Sequence, residues 1–162
     1  MVIDSVFLSF AVLVTTAAVL FYAALTDLRQ FTISNELIVV LALLFALYTV
    51  ITGRWSELPW NIGFATFIFV ILICFYALGW MGGGDVKLLT VALLWTGIHC
   101  ALPFAFLLLI FSSVHTVASY LIGASAQADG SNGGMLIPFA PSIAAALVSV
   151  FMLGCLQSPH RF

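Results

Sequence analysis

The chain has 162 residues, of which 64% are hydrophobic and 6% charged, against about 45–50% apolar and about 25% charged in an ordinary soluble domain. A soluble fold of about 150 residues buries only about 70% of its surface, so this composition excludes a soluble enzyme and a secreted disulfide scaffold. Four Lys/Arg against six Asp/Glu give a net charge of -2, which leaves no polybasic segment for nucleic acid or lipid head groups.

The expectation is an all-α, polytopic membrane protein of about six transmembrane helices, forming one domain over 1–162 with almost nothing outside the lipid bilayer. Apolar runs lie at about 5–25, 36–52, 60–80, 86–97, 101–123 and 137–156. The first begins after Asp4, where a signal peptide would be basic, and is read as a retained helix. Gly53-Arg54-Trp55-Ser56-Glu57 parts the second run from the third, with Trp55 and Trp60 suited to the interface. The fourth run is short for a crossing, and Gly97-Ile98-His99-Cys100 parts it from the fifth, where Pro103 is able to start a helix. One long helix broken near Gly97 is the alternative, with five spans; six is preferred because 86–123 far exceeds one crossing. The stretch 125–134 (SAQADGSNGG) reads as a flexible loop in which Asp129 is solvated.

Charge does not orient this chain. Arg29 and Lys87 fall on one side, Arg54 and Arg161 on the other, a tie under the positive-inside rule. Cys74, Cys100 and Cys155 form no Cys-x-x-Cys pair, which argues against a thiolate metal site; they read as small apolar helix residues.

Ionisable groups at membrane depth are costly and mark candidate sites. Asp27 follows the first run, and Asp85 follows Gly82-Gly83-Gly84 between the third and fourth. An even number of crossings separates them, so both lie on one membrane face. Either could serve structure alone, Asp85 as a helix N-cap and Asp27 as an interfacial partner of Arg29. Three glycines exceed what a cap needs and suit a loop that takes positive φ or lets an extended peptide approach. Two carboxylates held together share one proton, so one activates water while the other polarises a carbonyl. That chemistry needs neither metal nor cofactor. Lys87 fits either charge balance or lipid phosphate, Glu36 a helix flank, and His115 an interhelical hydrogen bond. No nucleophile triad, zinc helix or phosphate loop is present.

Gly82-Gly83-Gly84-Asp85 resembles the G-x-G-D motif of intramembrane aspartic proteases. With Val86-Lys87-Leu88 and the Asp27 loop, the chain resembles the type IV prepilin peptidases. Ile33-Ser34-Asn35 stands where that family has Ile-Pro-Asn, with Ser34 replacing the proline. Ile137-Pro138-Phe139-Ala140-Pro141 is similar to the family's Pro-aromatic-small-Pro motif before its last helix. The cysteine-bearing region of the longer bifunctional members is not seen before the first run, so the chain resembles the short peptidase-only class of tight-adherence (Flp-type) pilus systems.

The resemblance implies Asp27 and Asp85 as the catalytic pair, with Gly82, Gly83, Gly84, Lys87, Asn35 and Pro138 around the substrate. It also implies a prepilin-like substrate, contact with pilus assembly machinery, and a multi-pass location in the bacterial inner (cytoplasmic) membrane. Leader removal would occur at the cytoplasmic face. A cation or proton transporter using the paired aspartates, and a noncatalytic assembly subunit, are the competing readings.

Overall fold

A computed structural model describes residues 2–30, 33–121 and 139–156. Among them are five helices and no strand: α1 (Val2–Gln30), α2 (Asn35–Thr52), α3 (Leu58–Ala77), α4 (Gly83–Leu121) and α5 (Ala140–Met152). Four of these, α1 to α4, are long and apolar enough to cross a membrane. Many large apolar side chains point outward, Phe7, Phe21, Phe67, Leu102 and Phe106 among them. On helices of bilayer length such an outward apolar surface suits contact with lipid. The chain is a multi-pass, all-α membrane protein.

The fourth and fifth apolar runs form a single element, α4, broken at Gly97 (φ 58°, ψ -173°). Helix resumes immediately, so Pro103 lies inside α4 rather than starting a new helix. The break reverses the chain. Straight helix from Asp85 to His115 would separate them by about 45 Å, yet His115 acts electrostatically on Asp27, which in turn acts on Asp85. The second half of α4 therefore folds back beside the first. The five helices thus hold the six expected runs, the fourth helix being a hairpin of two.

Helix ends follow from their residues. Ser34 (φ -70°, ψ 143°) caps α2 by accepting the Leu37 N–H at 3.4 Å, a role proline cannot fill with a side chain. Glu36 lies in the first turn of α2, where its charge suits the helix dipole. At the end of α3, Gly79 takes φ 74°, with its N–H on the Tyr76 carbonyl.

The core centres on α5, whose Ala140, Ile143, Ala144, Ala146, Leu147 and Val150 are buried. Its small residues let α1 and α4 approach closely. Trp95 of α4 is fully buried, donates Nε1–H to the Leu41 carbonyl at 3.1 Å, and meets the rings of Phe45, Tyr48 and Phe151. These contacts tie α2, α4 and α5 together. Cys100 and Cys155 are not separate apolar fillers: they form a disulfide, Cα–Cα 6.2 Å, from just past the Gly97 turn to just past α5. Cys74 is free and exposed.

Candidate active site

Asp27 occupies the last turn of α1 and is 5% exposed. A carboxylate in that position needs a donor, and α5 supplies it. The first backbone N–H groups of a helix have no partner within the helix; that of Ala140 donates to Asp27 Oδ2 at 3.1 Å, in a buried setting. Asp85 sits in the first turn of α4, half-buried. The charge of Asp27 reaches it, so the two carboxylates share one electrostatic environment. His115, from the returning half of α4, lies near enough for its charge to bear on Asp27.

The glycines before Asp85 do not form a loop of positive φ. Gly83 and Gly84 already belong to α4, and the left-handed glycine nearby is Gly79. Their contribution is close approach. A Cβ on Gly82 would stand 3.2 Å from Asp85 Oδ2, one on Gly83 would stand 3.3 Å from the Tyr76 ring, and one on Gly84 would stand 3.2 Å from Ile33 Cβ. Bare α-carbons thus bring the start of α4 against the end of α3 and the segment leading into α2.

A second contact joins the same two segments. Lys87 Nζ donates to Asn35 Oδ1 at 2.8 Å. Ile33 on Gly84 and Asn35 on Lys87 together fasten the start of α2 to the start of α4 beside the aspartates. Next to this clamp, Ile38, Ile62, Phe69, Val91 and Leu94 line an apolar groove of about 350 Å³, with Lys87 on its rim. Pro138 and the 125–134 loop lie outside the described residues. Among the described residues, no three His, Cys, Asp or Glu side chains gather as a metal-binding group.

Sequence reasoning missed the Ala140 N–H and the nearness of His115. The first has a detectable signal: Pro141 fixes a helix start there, so the preceding amide is an unpaired donor. The second follows only from the reversal at Gly97.

Fold and site define a polytopic helical membrane protein with two acidic side chains gathered where helices begin and end. The chain belongs to the type IV leader peptidase family, whose family model matches residues 14–122. The matched stretch contains Asp27, Ile33-Ser34-Asn35, the three glycines, Asp85, Lys87 and His115. No curated protein and no solved structure matches it. The family makes this chain a membrane peptidase.

Proposed function

We propose that the whole chain is one aspartic endopeptidase domain that removes the leader from prepilin-like substrates at the cytoplasmic face, using Asp27 and Asp85. The observation that carries this reading is the pairing itself: two carboxylates from helices far apart in sequence feel one another's charge, in a family of leader peptidases. The pair holds one proton. Its ionised member removes a proton from water, whose oxygen attacks the scissile carbonyl; the protonated member supports the developing oxyanion and returns a proton to the leaving amine. The two carboxylates act as a unit. The substrate's apolar segment lies in the groove beside Lys87 and Asn35, which sets its cleavage site near the pair. The short peptidase-only class of Flp-type pilus systems, in the bacterial inner membrane, is the setting that fits the resemblance.

Co-expression with a candidate prepilin tests the reading: leader loss on a gel, with the new N-terminus sequenced, supports it. Intact prepilin together with ion flux in proteoliposomes would point to the transporter instead. Because carboxylates perform the water activation, cleavage in detergent should be unchanged by EDTA; loss reversed by one added metal would contradict the scheme.

The clamp makes a further prediction. Gly84→Val adds a branched side chain where even a Cβ meets Ile33 at 3.2 Å, and overpacking of this kind costs about 1–3 kcal/mol. Cleavage should fall sharply as the Ile33 segment is pushed from α4, and Ile33→Ala in the same chain should restore part of it. Gly63→Ala, where a Cβ meets nothing within 4 Å, should cleave normally. Normal cleavage by Gly84→Val would show that the close approach is dispensable.

A further inference from the structure

The disulfide lies at the end of the bundle away from the aspartates. Along α1, Ser5 and Asp27 are about 33 Å apart, close to the thickness of a hydrocarbon core, about 30 Å. Ser5 shares a cavity with Arg54, Thr52 and Leu156, and Leu156 follows Cys155. Helix α5 starts against Asp27 at Ala140 and runs about 20 Å to Met152, and Cys155 and Leu156 after it line the cavities of this far end. The far end is also polar: Arg54 and Glu57 pair at 3.7 Å, and with Asn61 and His99 they line a cavity of about 200 Å³ whose wall includes Cys100 and Cys155. The cystine therefore stands near one aqueous face and the aspartates near the other.

Thiols stay reduced on the glutathione-poised side of a membrane, while disulfides form and persist on the oxidising side. We propose that the Cys100–Cys155 cystine is installed on the oxidising side by a thiol–disulfide oxidoreductase, so that the Asp27/Asp85 end opens to the reducing side. The two thiols give up two protons and two electrons to the oxidoreductase's own disulfide. A thiolate attacks it to form a mixed disulfide, the second cysteine displaces the enzyme, and the oxidoreductase leaves as a dithiol. The bond fastens the end of α5 to the Gly97 turn, and so steadies the helix whose first amide holds Asp27. This orientation deepens the leader-peptidase reading, since it gives the side of the site independently of the charge tie.

The test traps thiols with acid in membranes from an expression host with its external thiol oxidase and from one lacking it. The protein is then unfolded, alkylated without reductant and weighed. One adduct, on Cys74, is expected with the oxidase, and adducts on all three cysteines without it. Three adducts in both hosts would overturn the proposal by showing no cystine, and one adduct in both would overturn it by showing no need for the oxidase. Leader cleavage is not read here, so Asp85→Asn should give the same adduct pattern, and failure of the catalytic assignment remains separable from failure of this one.

Discussion

Asp27→Ala and Asp85→Ala are each expected to abolish leader cleavage while the protein remains expressed and inserted. Neither carboxylate alone supplies both the base and the acid, and residues that work as a unit fail together, so the double variant should be no worse than either single one. The two positions differ in their structural cost. Asp27 accepts the buried Ala140 N–H, and stranding such a donor costs about 1–3 kcal/mol; Asp27→Ala should therefore also melt earlier in detergent. Asp27→Asn retains an oxygen acceptor for that amide and should fold well yet cleave almost nothing. Asp85 accepts no hydrogen bond from the other described residues, so Asp85→Ala should lose activity with little loss of stability. Near-normal cleavage by a well-expressed Asp85→Ala protein would remove Asp85 from the chemistry.

Gly97→Ala should be the most damaging single-methyl change to stability. Its φ of 58° and ψ of -173° lie in a region essentially confined to glycine, where another residue costs about 1–3 kcal/mol. A Cβ there would also overlap the Asn61 carboxamide. Two penalties fall on one atom. Because the reversal at Gly97 returns His115 to the aspartates, cleavage should decline together with the melting temperature. Asn61→Ala in the same chain removes the overlap but leaves the backbone strain, so it should recover part of the loss. A Gly97→Ala protein that melts like the wild type would mean that the turn is looser than these angles require.

The elements legible in the sequence were those written in local pattern. Apolar runs of near-bilayer length gave the helices, and the polar interruptions put Asp27 and Asp85 at helix ends, one closing α1 and the other opening α4. The break at Gly97 was visible too, although its form was not: helix resumes with no intervening loop, so a glycine flanked by apolar residues marks a reversal within one element. Of the two properties that suit glycine before Asp85, positive φ is not used and close approach is, against Tyr76 and Ile33, which only the packing of the helices brings there. Long-range pairings had no local signature. Lys87 meets Asn35 across 52 positions, Ala140 meets Asp27 across 113, and Cys100 meets Cys155 across 55. The cysteine spacing resembled no motif because the disulfide follows from α5 carrying the chain away from Asp27, so that Cys155 past its end meets Cys100 past the Gly97 turn. Ser34, a departure from the family's proline, became intelligible only as the cap of α2.

Purified protein, reconstituted in lipid vesicles with a purified prepilin and EDTA, offers the most direct measurement. Wild type should release the leader by a single cut at its boundary, while Asp27→Asn and Asp85→Asn, folded to the same melting temperature within a few degrees, should leave the prepilin whole. Leader release by either Asn variant at the wild-type rate would contradict catalysis by the aspartate pair.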